Sequence, residues 1–177
     1  MRLYYSPGHS HYGARVPIGI YNLKILLLII AALSLLVVIG LFILGYMSKS
    51  GETHGLVEGR LKHCPDKPNC VCSEFESDSV HFIEPLVFAT GEAAQVLPRL
   101  KTIIREMGGS IQLEKTEYLA ATFTSSVFRF VDDLEIRIDT DQELIQLRSA
   151  SRVGRSDGGV NRKRVERLKM AFQLKKN

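Results

Sequence analysis

The chain has 177 residues, 45% of them apolar and 24% charged, with a formal net charge of +4. That length leaves room for one ordinary domain rather than several. The averages hide two divisions. The apolar residues crowd into the first third, and residues 148–177 carry ten Lys and Arg against two acids where residues 51–147 carry nine against seventeen.

Residues 1–24 read as an N-terminal tail and Ile25 to Met47 as a transmembrane helix. No residue in that stretch is charged at neutral pH, and only Ser34, Gly40, Gly45 and Tyr46 interrupt the aliphatic side chains. At about 1.5 Å per residue it makes a helix of roughly 34 Å, enough to cross a hydrocarbon core of about 30 Å with some tilt. A buried helix of a globular domain would show a polar stripe, and none is present. A cleaved signal peptide fits less well, because the run exceeds the usual h-region and no small-x-small site follows at Leu44 to Ser50. Tyr21 and Tyr46 fall where aromatic side chains favour the two interfaces. Arg2, Arg15 and Lys24 before the helix balance Lys49, Arg60 and Lys62 after it, so the positive-inside rule is tied.

Residues 48–60 read as a linker and residues 61–177 as a soluble domain. All three cysteines lie near its start, in Cys64-Pro65-Asp66-Lys67-Pro68-Asn69-Cys70-Val71-Cys72. The prolines and Asn69 favour a compact turn that brings Cys64 and Cys70 within the roughly 4.4–6.8 Å between Cα atoms that a disulfide needs. The alternatives are inert thiols, or a soft metal ion held by three thiolates with His63 or His81, although no second C-x(2-4)-C pair is present. If Cys64 and Cys70 pair, Cys72 is left free or intermolecular. A disulfide implies an oxidising compartment, which places the domain outside the cytoplasm.

Val80 to Val87 is rich in β-formers but broken by Pro85, which suggests an edge strand. From Ala93 to Met107 apolar residues recur at three- and four-residue steps, predicting an amphipathic helix capped by Thr90, ended by Gly108-Gly109 and kinked or delayed by Pro98. Four strands are expected at Ser110–Lys115, Tyr118–Ser125, Phe128–Asp139 and Glu143–Ser151, antiparallel because their connectors are short. Asn161 to Leu174 sets Val165, Leu168, Ala171 and Phe172 on one side of a second helix. The fold class is therefore α+β: one N-terminal transmembrane helix, then a small antiparallel sheet in the order β-α-β-β-β-β-α with two helices packed on it.

Two segments hold the candidate functional residues. The two-residue period of Phe128 to Ile138 puts Phe128, Phe130, Leu134, Ile136 and Ile138 on one face and Asp132 with them. A carboxylate on a core face must be satisfied or mark a site. The plainer explanations are a β-bulge at Asp132-Asp133 or an ion pair with an arginine such as Arg152; the sharper one is a hydrolase using Asp132, Asp133 and Arg152. The second segment, Arg148 to Arg164, joins a strand to a helix through three glycines. Its backbone donors, the helix N-terminus and Arg148, Ser149, Ser151, Arg152, Arg155, Asn161 and Arg162 together suggest an anion cradle. The contrary reading has the glycines merely turning the chain, Asn161 capping the helix and the arginines pairing with neighbouring acids. Neither a Walker loop nor a dinucleotide fingerprint is present, and no cofactor is implied. The basic tail does not point to nucleic acid, since interleaved exposed aromatics are lacking and an exported domain would not meet DNA.

Cys64-Pro65, Pro68-Asn69-Cys70-Val71, Phe128-Arg129-Phe130-Val131-Asp132-Asp133, Arg148-Ser149-Ala150-Ser151-Arg152-Val153-Gly154 and Gly159-Val160-Asn161-Arg162-Lys163-Arg164 occur in that order. Together they resemble the domain-of-unknown-function family numbered fourteen ninety-nine, over about Leu61 to Phe172. The resemblance implies no activity, cofactor or catalytic residue. It does imply an N-terminal membrane or export segment in many members, Cys64 with Cys70 as the family's pair, and Cys72 in place of a typical Ser. The function expected is a membrane-anchored extracytoplasmic, non-enzymatic domain. It binds an anionic ligand, lipid headgroup or envelope protein through the Ser149–Arg164 loop, the hydrolase and a structural or assembly role being the alternatives. A cleft joining Asp132 to an arginine would favour the enzyme, open loop donors the binding module, and full internal pairing the structural role.

Overall fold

A computed structural model of the protein describes residues 18–175; the tail with Arg2 and Arg15 lies mostly outside them. Helix α1 runs Ile18–Met47. It starts ahead of the apolar block, and it is long and apolar enough to cross a membrane, by length and composition. Its last turns, from Gly40 on, belong to the same compact unit as the rest of the chain, and residues up to Ile39 form a unit of their own.

The expected linker is structured. A 3-10 turn, Ser48–Ser50, follows α1 directly. Ser48 is buried, its hydroxyl donating to Gly45 O at 2.6 Å and accepting the Val131 N–H at 3.0 Å. Strands β1 (Leu56–Val57) and β2 (Arg60–Leu61) then form a small antiparallel hairpin. Its two central residues, Glu58 and Gly59, take φ of 50° and 76°, the sign that a type I′ turn demands and that glycine supplies without strain.

Strand β3 is Cys70–Cys72, inside the segment read as a disulfide loop. The edge strand expected over Val80–Val87 shrinks to β4, Leu86–Val87. Two causes act: His81 and Phe82 donate their N–H groups to Asp78 O and curl the segment's start, and Pro85 has no donor to offer a ladder. Helix α2 spans Ala93–Glu106 with Pro98 inside it. Thr90 does not cap it; Glu92 holds the N-cap position without a side-chain cap bond. At the other end Gly108 takes φ of 87°, its N–H bonds Arg105 O, and that of Gly109 bonds Ile104 O, the paired contacts of a Schellman motif.

Strands β5 (Ser110–Lys115), β6 (Tyr118–Thr124), β7 (Val131–Asp139) and β8 (Leu144–Ser151) match the expected four apart from their ends. Helix α3, Val160–Leu174, closes the described fold. All strand pairs in the main sheet are antiparallel, in the order β3-β8-β7-β6-β5, with β4 on the same edge of β8 as β3 and a register shift between Ile111 and Leu113 on β5.

Both faces of this sheet are covered, so alternate residues of β7 and β8 are buried on either side. On one face Leu119, Phe123, Leu134, Ile136, Ile145 and Leu147 meet Val96, Leu100, Ile103 and Ile104 of α2 and Val165, Leu168 and Phe172 of α3. On the other, Leu61, Cys64, Cys70 and Cys72 pack with Tyr118, Ala120 and Ala150. The second face also buries Asp133, Glu135 and Arg148. Phe128 and Phe130, expected on the core side of β7, lie instead in the turn before it, where Arg129 takes φ of 61°.

Candidate functional site

Asp132 and Asp133 are consecutive in an unbroken ladder, opposite Ser151 and Ala150 on β8 and Phe123 and Thr122 on β6. No bulge intervenes, so they point to opposite faces of the sheet. Asp132 is held by Arg164 of α3 at 2.6 Å. Asp133 is held by Arg152, through Nη2 at 2.7 Å and Nε at 3.0 Å. The arginine predicted for Asp132 thus serves its neighbour, and the two carboxylates cannot act on one substrate as a pair.

The polar residues of the Ser149–Arg164 loop divide between the two faces. On the helix face Ser149 donates to Asn161 Oδ1 at 2.7 Å, and Arg164 donates to both, its guanidinium 4.7 Å from the centre of the Phe123 ring. Asn161 does not cap α3. It reaches back to Asn69 O at 3.0 Å and to the Ser151 hydroxyl at 3.0 Å, tying the helix to the β3 and β8 strand ends. Capping falls to Asp157, whose carboxylate takes the Gly159 N–H at 2.9 Å and the Asn161 N–H at 2.8 Å. The protein's own carboxylate therefore occupies the place that an anion would take at this helix end. Arg162 donates to Phe82 O and Val80 O, while Arg155 is exposed and makes no ion pair among the described residues.

The opposite face carries a ladder of ion pairs that the sequence reading missed. Glu135 is fully buried and accepts from Arg148 Nη1 at 2.8 Å, the Tyr118 hydroxyl at 2.7 Å and the Gly55 N–H at 2.9 Å. Burial, and then the bond to Glu135, push the Tyr118 phenol above its ordinary range. Beyond it Glu74 is gripped by Arg60 and Arg137, both at 2.7 Å. The available signal was the polar alternation Asp133, Glu135, Arg137 on β7 beside Arg148 on β8, which is unusual for a strand buried on both faces.

Arg148 is only 3% exposed, yet its Nε is buried without a hydrogen-bond partner. It lines a cavity of about 350 Å³ with His54, Lys62, His63, the Cys64-Pro65 corner and Asp133. Lys62 makes no ion pair among the described residues. His54 registers the field: its pKa is lowered by partial desolvation first, then by the charges of Arg148 and Lys62. Three of the residues singled out in the sequence, Asp133, Arg148 and Ser151, meet at this cavity.

The Cys64 and Cys70 sulfurs lie at disulfide distance, 2.01 Å, with Cα atoms 5.7 Å apart. That pairing removes the three-thiolate metal site, and no three His, Cys, Asp or Glu side chains converge on a metal position among the described residues. Cys72 is a buried free thiol pushed up to about 11, chiefly by burial. Since its folded pKa lies above its ordinary 9.0, its contribution to stability is intact below about pH 9 and is lost as pH rises through about 11. Iodoacetamide at neutral pH should modify Cys72 only after unfolding, a result that mass spectrometry reads directly; rapid labelling of the folded protein would contradict this burial.

The comparison with known families places the chain. No curated protein and no solved structure matches it. A family model described as "Protein of unknown function (DUF1499)" matches residues 60–172, well over half the sequence and nearly the whole of the sheet, α2 and α3. The chain therefore belongs to the DUF1499 family.

Proposed function

We propose that the protein is a single-pass membrane protein whose soluble domain faces an oxidising space outside the cytoplasm and binds a small anionic group, without catalysing a reaction. One observation carries this reading: at the cavity of His54, Lys62 and Arg148 the one lining acid, Asp133, is already held by Arg152, whereas Lys62 is exposed and makes no ion pair among the described residues. A phosphate or carboxylate group suits such a wall, from a lipid headgroup, a soluble metabolite or a partner protein of the envelope. The Ser149–Arg164 region contributes through Ser151 at the cavity and Arg148 just before it. Export is supported by the Cys64–Cys70 pair and anchoring by α1.

An anion bound at the cavity raises the pKa of His54 by offsetting Arg148 and Lys62. Titrating the detergent-solubilised protein with inorganic phosphate, while following the His54 ring by NMR, should move its midpoint upward in the wild type and much less in Lys62→Glu. A midpoint indifferent to phosphate would defeat the anion reading. Its location has a separate check. A reporter fused after Asn177 that works only in the cytoplasm should be silent, and its activity would reverse the topology.

A further inference from the structure

The β6–β7 connection, Ser125 to Phe130, is a tightly held turn with a greasy tip. The Ser125 N–H bonds Phe130 O at 2.8 Å and the Phe130 N–H returns to the Ser125 hydroxyl at 2.9 Å. Between them Val127 stands 63% exposed, Arg129 points outward from a left-handed backbone, and the Phe128 and Phe130 rings lie 6.0 Å apart. A rigid apolar projection is an unfavourable thing to offer to water and marks a surface that something covers.

What covers it is indicated by the last turns of α1. The Phe42 ring meets Phe128 edge-on at 5.3 Å, and Gly45 lies so close that a Cβ there would fall 1.8 Å from Phe128 O. The bonds of Ser48 to Gly45 O and to the Val131 N–H fasten this helix end to the first residue of β7. Phe42 is within the uncharged run, whereas Lys49, which stacks 5.6 Å from the centre of the Tyr46 ring, is the first ionisable residue after it. The boundary between hydrocarbon and water along α1 therefore lies in the turn from Tyr46 to Lys49, where aromatic and basic residues settle. A turn that packs on Phe42 and Gly45 stands at that boundary or below it.

We infer that the Val127–Phe130 turn is a membrane-docking finger, which inserts Val127 and Phe128 at the boundary between headgroups and acyl chains and presents Arg129 to lipid phosphates. The inference rests on α1 spanning the bilayer. The occupant is the lipid surface itself, because the tip combines aliphatic, aromatic and basic side chains, as interfacial segments do, and is continuous with the helix end.

The sequence contains no tryptophan, so a single introduced Trp is an unambiguous probe. Full-length Val127→Trp, Leu36→Trp and Val87→Trp would each be reconstituted into phosphatidylcholine–phosphatidylglycerol vesicles carrying brominated acyl chains. Val87 is 69% exposed on β4 and serves as the probe in water. Emission from Trp at position 127 should be quenched severalfold more by the bromolipid, and severalfold less by aqueous acrylamide, than emission from position 87. If position 36 is quenched by bromolipid while 127 behaves like 87, the span stands and the finger is wrong. Protection of 127 from acrylamide without bromolipid quenching would assign the tip to a protein contact and also overturn the inference. Indifference of position 36 to bromolipid would defeat the spanning reading itself, and the finger with it. Substituting Arg129→Glu should weaken bromolipid quenching at 127 in vesicles with phosphatidylglycerol and leave it unchanged without that lipid.

Discussion

Glu135→Ala should lower folding stability by about 3–5 kcal/mol, the scale for removing one partner of a buried ion pair and leaving the other uncompensated. The carboxylate is fully buried and accepts from Arg148, Tyr118 and Gly55. Without it Arg148, whose Nε already lacks a partner, loses its counter-charge in a place where water cannot replace it. Domains of this size are stable by about 5–15 kcal/mol, so much of the margin would go. The measurement is denaturant unfolding in mild detergent, with Glu114→Ala as a control. Glu114 makes an exposed pair with Lys101, and its loss should cost at most about 1 kcal/mol. A double replacement, Glu135→Leu with Arg148→Met, should recover much of the loss because it removes both charges together. If the single change at Glu135 were as mild as that at Glu114, the ladder on this face would not be a structural element.

Leu134→Ala should cost about 2–5 kcal/mol through lost transfer energy and the cavity left behind. Leu134 is fully buried one residue before Glu135, on the opposite side of the same strand, in the cluster formed with α2 and α3. The two substitutions therefore probe two different cores through adjacent positions. Leu134→Ala should leave the His54 titration and the reactivity of the second face unchanged while the protein stays folded, whereas Glu135→Ala should disturb both. A loss well under 1 kcal/mol at Leu134, measured by the same unfolding experiment, would mean that the helices do not bury this face.

The parts of the fold that could be read in advance are those with a sustained period. Ala93 to Met107 repeats apolar residues at helical steps, and β5 to β8 are long enough, with short enough connectors, for antiparallel neighbours to be inferred. The hairpin of β1 and β2 escaped because two-residue strands have no period, and β3 because its cysteines suggested covalent chemistry before pairing. Thr90 and Asn161 were natural caps by residue type. The helix starts fell three residues after one and one residue before the other, and Asp157 took the donors that Asn161 was expected to hold.

The candidate site was legible as a set of residues but not as a set of pairs. Which arginine meets Asp132 depends on how α3 packs over the sheet, and Arg164 lies 32 residues away in sequence. Arg148 and Glu135 become partners through the β7–β8 register, which sets them directly opposite. His54 could not be connected with Arg148 while residues 48–60 were read as a linker, and Lys62 stands between β2 and β3 in a stretch without a period. The second covered face, closed by Leu61, the Cys64–Cys72 segment and Phe75, turns the polar positions of β7 and β8 from a solvated surface into a buried network.

On the proposed anchoring by α1, the sheet's margins matter in a crowded bilayer, where proteins confined to two dimensions collide often. A long bare strand would recruit its counterpart from a neighbouring molecule and seed a fibril. Here the outer strand β5 is interrupted between Ile111 and Leu113 and ends in the charged pair Glu114 and Lys115, while the far margin of β8 is divided between three residues of β3 and two of β4. Neither border offers a run long enough to template another chain, so dense packing should leave the molecules distinct.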